Sequence, residues 1–188
     1  GDEDLFKRLA RDNIKTFIED GVKKILVSSP HCYHTFKNEY PEFRVNFEVV
    51  HIAQFLSELI HEGRLKPSKK FRKKLTYHDP CYLGRHNGVY DEPRDVLKKI
   101  PGLELNEMPD SRADSLCCGG GGGRIWMETP RRERFSDIRL RQAMEIGAEV
   151  LVTSCPYCIT NFEGSRETLD VVENIEVKDV TEIIAEAL

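Results

Sequence analysis

Five of the six cysteines fall in a pattern that could hold a metal centre. Cys81 is followed after 35 residues by Cys117-Cys118-Gly119, and after a further 35 by Cys155-Pro156-Tyr157-Cys158. Soft thiolates select zinc, Cu(I) or iron–sulfur clusters over hard cations. A structural zinc closes its tetrahedron with four ligands. Five sulfurs in three groups exceed that need and favour a polynuclear centre. The adjacent Cys117 and Cys118 can place their sulfurs on neighbouring metal atoms, which an ordinary CxxC does less readily. A zinc held by four of the five thiols, in a structural or interaction domain without redox activity, is the competing reading.

The surroundings suit a buried anionic site. Residues 119–123 are consecutive glycines, which let backbone N–H groups approach inorganic sulfide closely. Such a run costs roughly 0.5–1 kcal/mol per ordered Gly relative to Ala, and an ordinary loop has no need of it. Cys155 is expected at a helix N-terminus, where free N–H groups and the dipole favour thiolate. Arg85, Arg124, His78 and His86 are candidates to offset the remaining negative charge. Other chemistries fit less well. Cys155-Pro156-Tyr157-Cys158 is the redox tetrapeptide of glutaredoxins, but there it follows the first strand with most of the domain still to come. The glycines satisfy GxGxxG trivially, yet no strand runs straight into them and no Gly-Lys-Ser/Thr follows. No general acid–base pair is discernible, so a cofactor would carry the chemistry.

These residues must be positioned by a repeated unit. Gly21-Val22-Lys23-Lys24-Ile25-Leu26-Val27-Ser28-Ser29-Pro30-His31-Cys32 matches Gly147-Ala148-Glu149-Val150-Leu151-Val152-Thr153-Ser154-Cys155-Pro156-Tyr157-Cys158 at an offset of 126. Phe47-Glu48-Val49-Val50 and the helical pattern after it parallel Ile175-Glu176-Val177 and its successor at 128. Each unit reads helix, strand, Cys-bearing turn, helix, strand, helix. Phe6, Leu9, Ala10 and Phe17 share one face of a first helix that Gly21 stops. Residues 25–27 and 150–152 read as central parallel strands. Ile52, Phe55, Leu56, Leu59 and Ile60 make the clearest amphipathic helix. Thr129-Pro130 is expected to start a helix ending at Gly147, and Asp179 with Glu182 forms a capping box before the last one. The expectation is an α/β fold of two repeated helix–strand units, with short, mostly parallel sheets flanked by helices.

The same arithmetic marks the first copy as incomplete. Counterparts of Cys81 and Cys117-Cys118 would fall before Gly1, and Ser29 stands where the second copy has Cys155. Residues 1–66 thus read as a truncated first repeat, 67–75 as a basic linker within the solvated stretch 64–74, and 76–188 as a complete second repeat. Cys32 alone cannot hold a cluster and reads as a buried or half-buried thiol. The chain starts in mid-pattern without Met, which suggests an excised or processed piece.

Composition bounds the remaining classes. Across 188 residues, 39% are hydrophobic and 32% charged, which is the balance of a folded domain rather than a disordered tail. A net charge of −4 offers no broad basic face for nucleic acid. Apolar runs are far shorter than the roughly 20 residues that span a bilayer. No secretory signal is present, and the composition suits a reducing cytoplasm, with ligand thiols rather than disulfides.

Three segments carry a specific resemblance. His78-Asp79-Pro80-Cys81-Tyr82-Leu83-Gly84-Arg85, Ser115-Leu116-Cys117-Cys118-Gly119-Gly120-Gly121-Gly122-Gly123-Arg124 and Ser154-Cys155-Pro156-Tyr157-Cys158 resemble the CCG cysteine-rich domain. That domain occurs in heterodisulfide reductases, in glycolate oxidase iron–sulfur proteins and in flavoprotein-associated Fe–S oxidoreductases. Pro30-His31-Cys32-Tyr33-His34-Thr35-Phe36-Lys37-Asn38-Glu39-Tyr40-Pro41 is most similar to the last group, and the resemblance spans residues 5–188. It implies an iron–sulfur electron-transfer module of a larger oxidoreductase, with a non-cubane [4Fe–4S] cluster on Cys81, Cys117, Cys118, Cys155 and Cys158. It further implies a ferredoxin-like domain or flavoprotein as electron donor and a disulfide, quinone or other carrier as acceptor. Placement would be cytoplasmic, peripheral to a membrane complex and without a membrane span of its own.

Overall fold

The computed structural model describes residues 1–130 and 133–188. Helix α1 (Glu3–Glu19) is capped by Asp2, whose carboxylate accepts the Leu5 N–H at 2.9 Å. It buries Ala10 and Ile14 against Phe6, Phe17, Phe36 and Tyr40. Leu9, expected on that face, points outward and is 52% exposed, because Ile14 rather than Leu9 continues the stripe. Gly21, at φ 67°, ends the helix as the Val22 N–H turns back to the Phe17 carbonyl.

Strand β1 (Lys24–Val27), the short helix α2 (Pro30–His34), strand β2 (Glu48–His51) and helix α3 (Ile52–His61) follow. After these come β3 (Lys74–Tyr77), α4 (Asp91–Lys98), β4 (Glu104–Leu105), α5 (Phe135–Glu145), β5 (Val150–Thr153), α6 (Pro156–Leu169), β6 (Glu176–Asp179) and α7 (Val180–Ala187). The strands form two parallel sheets, β1-β2 and β4-β3-β5-β6, and the fold is α/β. Strand β5 is buried along its whole length, as a central parallel strand should be. Strand β1 is not central: it pairs only with β2 among the described residues, and Leu26 is 47% exposed. Helix α5 begins at Phe135 with Arg134 at its cap, not at Thr129-Pro130, and residues 131 and 132 lie outside the described residues. Its start is set by packing, since Ser136 and Asp137 are buried and the Ser165 hydroxyl of α6 donates to the Asp137 carboxylate at 2.6 Å while standing 2.7 Å from the Ser136 hydroxyl, from which it can accept.

Side chains alternate across β5. Val150 and Val152 face one core with Leu75 and Tyr77 of β3, Val96 and Leu97 of α4, Ala53 and Leu56 of α3, and Ile183 of α7. Leu151 faces the other, with Leu140, Phe162, Cys118, Cys155 and Cys158. Helix α3 therefore packs on the larger sheet. The stretch expected as a solvated linker is tied down as well. Phe71 is buried in the first core, Ser68 and Lys69 donate their N–H groups to the Ala187 carbonyl, and β3 already begins at Lys74. Burying one such aromatic side chain stabilises by about 1.5–3 kcal/mol, while the flanking Lys70 and Arg72 stay exposed to water.

Candidate metal centre

The thiols are placed by the carboxyl ends of two neighbouring parallel strands. Strands β3 and β5 pair with Tyr77 opposite Val152, so the loops leaving them emerge side by side. The ladder is extended past the strands: the His78 N–H donates to the Val152 carbonyl at 2.8 Å and the Thr153 hydroxyl to the His78 carbonyl at 3.1 Å. Cys81 then sits in a turn whose Leu83 and Gly84 N–H groups close on the Pro80 carbonyl. Cys155 is the N-cap of α6, with Pro156 at its first position, and Cys158 lies one turn on.

Cys117 and Cys118 arrive on a loop that other residues hold in place. Arg85 donates to the Ala113 and Ser115 carbonyls at 3.1 and 2.6 Å, and the Asn161 amide donates to the Cys118 carbonyl. Gly119 adopts φ 80°, which a side chain would resist, and its N–H points at Cys117 Sγ at 3.3 Å. A Cβ there would also stand 3.0 Å from the Phe135 Cβ.

All five thiols come together. They contact one another in the order Cys81, Cys117, Cys118, Cys158, Cys155. Cys118, Cys155 and Cys158 are buried, while Cys81 and Cys117 are half-buried. Hydrogen bonds from Cys118 and Cys81 hold Cys117 well below the ordinary thiol range, helped by the Gly119 N–H. Cys155 is lowered by Cys158 and by His31, which reaches over from α2. The thiols that donate, Cys81, Cys118 and Cys158, are pushed up, first by those bonds and then by burial. Alternating raised and lowered thiols are what a crowded set does when each shares its proton with a neighbour. A cationic core would take the place of those protons. Cys32, by contrast, is exposed and stands apart from the five, against its reading as a buried thiol.

Two buried arginines brace the site, and the sequence pattern did not single out either. Arg94 forms a bidentate pair with Asp79 at 2.7 and 2.8 Å and a second with Glu107 at 2.6 and 2.9 Å. Asp79 also accepts the Arg112 N–H at 2.7 Å, which ties the Cys81 loop to the segment entering Cys117. Burial works against the Arg94 charge, but Asp79 and then Glu107 raise its pKa above the usual guanidinium value. Arg139 contacts His78 and Ser115 instead, and burial lowers it to about 10. An arginine inside the apolar stripe of each helix, beside Val96 and Leu97 or Leu140 and Ala143, was the available signal. Of the four residues expected to offset charge, His78 faces the thiols and Arg85 holds carbonyls. His86 stacks on Tyr82 at 4.6 Å, and Arg124 lines a cleft with Cys118 and Gly119. His31, stacked on Tyr82 at 4.3 Å and against Tyr157 at 4.9 Å, closes the outer side.

The donor set fits a thiolate-bound metal centre: five sulfurs, a backbone N–H directed at one of them, and a buried polar nitrogen, His78 Nε2, without a hydrogen-bond partner among the described residues. The family model of the cysteine-rich domain, CCG, matches residues 1–37 and 75–163. The chain belongs to the CCG cysteine-rich domain family. Among CCG relatives, it is 42% identical to the "Probable iron-sulfur-binding oxidoreductase FadF" of Bacillus subtilis over 100% of its length, covering 27% of that protein. It is equally 42% identical to the EtfAB:quinone oxidoreductase of Syntrophomonas wolfei, again over 100% of this chain and 27% of the relative. Identity to a dihydromethanophenazine:CoB–CoM heterodisulfide reductase polypeptide of Methanosarcina barkeri is 38%, over 99% of this chain and 46% of the relative. This CCG chain thus spans a quarter to a half of the curated relatives it matches. No helix among the described residues is long and apolar enough to cross a membrane.

Proposed function

We propose that this CCG chain is the cluster-bearing electron-transfer module of a larger iron–sulfur oxidoreductase related to heterodisulfide reductase. The observation that carries the reading is the gathering of five thiols, from three separate loops, at the carboxyl edge of one parallel sheet. Cys81, Cys117, Cys118, Cys155 and Cys158 would hold the cluster, a non-cubane [4Fe–4S] centre being the type we assign. When bound, it supplies one-electron redox chemistry.

The chain's own residues hold and shield that chemistry. The β3 and β5 exits fix the spacing of Cys81 against Cys155 and Cys158. The Gly119 N–H offers a donor to sulfur, and such donors raise a cluster's reduction potential. His31, Tyr82 and Tyr157 cover the site and restrict water. The donor we assign is a ferredoxin-like domain or a flavoprotein; the acceptor we assign is a disulfide or a quinone, in line with the heterodisulfide and the quinone that the relatives' names print of those proteins. A quinone lives in the membrane, so we place the assembly on the cytoplasmic side of a membrane complex. Residues 1–66 and 76–188 would act as a partial and a complete repeat joined by 67–75.

Anaerobic reconstitution tests this. The chain should take up iron and acid-labile sulfide together and show broad visible absorption, and Cys117→Ser or Cys118→Ser should abolish both. Zinc bound without sulfide, or spectra unchanged in the two variants, would overturn the reading.

A further inference from the structure

We propose that His78 serves the sulfur core as a fixed N–H donor rather than as a ligand, and that Arg139 is the positioning residue that makes it so. The proposal rests on the iron–sulfur reading above. A ring nitrogen of His78 and the sulfurs of Cys118 and Cys158 all lie within 4.8 Å of one another. Taken alone, that trio looks like three-quarters of a zinc site. What decides otherwise is the group behind the ring.

Arg139 Nε faces His78 Nδ1 at 3.4 Å. A guanidinium has donors only and keeps its charge in proteins. Nδ1 must therefore present its lone pair, and the ring proton resides on Nε2. An imidazolium would set N–H against N–H at the same place. Arg139 cannot readily turn away, because its other nitrogens donate to Gln142 Oε1 at 2.9 Å and to the Ser115 hydroxyl at 3.2 Å. Gln142 is itself held by Asp110 at 2.9 Å. The ring is clamped edge-on to Phe162, with centroids 4.8 Å apart and planes at 84°. Nε2 is left buried, bearing a hydrogen and lacking a partner among the described residues, on a ring that lies against the thiols. A buried donor of this kind requires an acceptor, and the sulfur of a bound core supplies one. In this tautomer Nε2 has no lone pair for a metal.

A hydrogen bond to sulfur stabilises the more negative, reduced state of a cluster, so His78 should raise its potential. The test uses the full chain, reconstituted anaerobically, with iron and sulfide per chain, a redox titration and pulsed-EPR nitrogen coupling as readouts. His78→Leu should retain iron and sulfide at the wild-type ratio and shift the potential downward. His78→Gln, which restores an N–H at similar reach, should recover part of the shift, and Arg139→Leu should lower the potential with His78 still present. The wild type should show only the weak nitrogen coupling of a hydrogen-bonded ring, a measurement that needs no variant to fold. Strong coupling of a coordinated nitrogen, or loss of iron in a folded His78→Leu chain, would overturn the proposal in favour of ligation. An unmoved potential in His78→Leu with normal iron and sulfide would overturn it alone. Zinc without sulfide in the wild type would overturn it together with the function on which it rests.

Discussion

The two repeated units share their local structure and differ in what lies beside them. Both pair their strands in the same register, Lys24 with Glu48 in one and Val150 with Glu176 in the other. Their first helices end alike, on Gly21 at φ 67° and Gly147 at φ 72°, and the next residue's N–H turns back five residues in both. Even the capping boxes correspond, His51 with Gln54 and Asp179 with Glu182. Yet β5 has β3 along its other edge, and β1 has no such neighbour among the described residues. That neighbour delivers His78, Asp79 and Cys81 to the turn that holds Cys155. The repeat alone builds a pair of parallel strands and three helices; the adjoining strand turns one copy into a site.

The largest break in this comparison should come from Arg94, whose pairs with Asp79 and Glu107 exist only around the second unit. Arg94 is 1% exposed. Its removal strands Asp79 as an unpaired buried carboxylate beside the Cys81 loop. Arg94→Ala should cost about 3–5 kcal/mol in denaturant unfolding, and it should reduce iron uptake because Asp79 also anchors the Arg112 turn leading to Cys117. A loss under about 1 kcal/mol would mean that water fills the gap and that the pair is not structural.

The cap pair sharpens the comparison by pH. The neutral His51 ring accepts the Ala53 N–H on Nδ1 and donates from Nε2 to the Ser28 carbonyl at 3.1 Å. Burial lowers its pKa from 6.5 to about 4. The unfolded chain therefore binds a proton before the folded chain does. The stability contribution is complete above about pH 6.5 and is lost as pH falls towards 4, by roughly 3 kcal/mol over the window. Asp179, at the matching position, is raised by burial, so its contribution changes in the opposite direction and grows on acidification. His51→Asn keeps a capping acceptor without titrating there. It should flatten the loss of stability between pH 6.5 and 4, read as the denaturation midpoint; an unchanged slope would assign the acid sensitivity elsewhere.

How much of this was legible depended on whether the signal was local. Strands β1, β2, β5 and β6, the Asp179 cap, the Gly21 and Gly147 stops and the parallel α/β layering follow from periodicity and turn chemistry within a dozen residues, whereas β3 and β4 lie outside the repeat and were not expected. The cysteine pattern was legible too, because thiols and glycines in those spacings have few structural uses. The Arg94 and Arg139 braces were not. Each meets partners far along the chain, Asp79 or His78, and an arginine on an apolar stripe reads locally as an interruption. Strand β1 misled for the same reason: its three apolar residues look like those of β5, but centrality depends on a neighbour. His31, placed from the first unit onto Cys155, needed the packing of the two units and had no sequence signal.

Strand position gives the next effect in size. Leu26 and Val152 occupy the same place in the two units, at 47% and 0% exposure. Removing two methyl groups from the closed core around Val152 should cost about 2 kcal/mol, the transfer of the lost carbon plus part of a cavity. Leu26→Ala removes more carbon, yet it should cost under about 1 kcal/mol because much of that side chain is already in water. Paired unfolding curves for Val152→Ala and Leu26→Ala would settle the order. Equal losses would mean that β1 is covered in solution by something beyond the described residues, and its edge would then have to be regarded as an interface.

Ser29→Cys should have the smallest effect, although on paper it repairs the motif. Ser29 caps α2 as Cys155 caps α6, and the substitution would create a Cys-x-x-Cys with Cys32. Two obstacles remain. Cys32 is exposed, where Cys158 is wholly enclosed by its fellows. Beside β1 no described residue provides the vicinal pair or the turn cysteine that complete the other set. Two thiols on one turn can catch a metal transiently, but closed sites need four ligands. Iron and sulfide per chain should therefore equal the wild-type values after reconstitution. The buried Ser29 hydroxyl has no hydrogen-bond partner among the described residues, so a thiol in its place should leave stability level or slightly raised. Doubled iron would show that a cap and one further cysteine suffice, and that β3 is not what distinguishes the units.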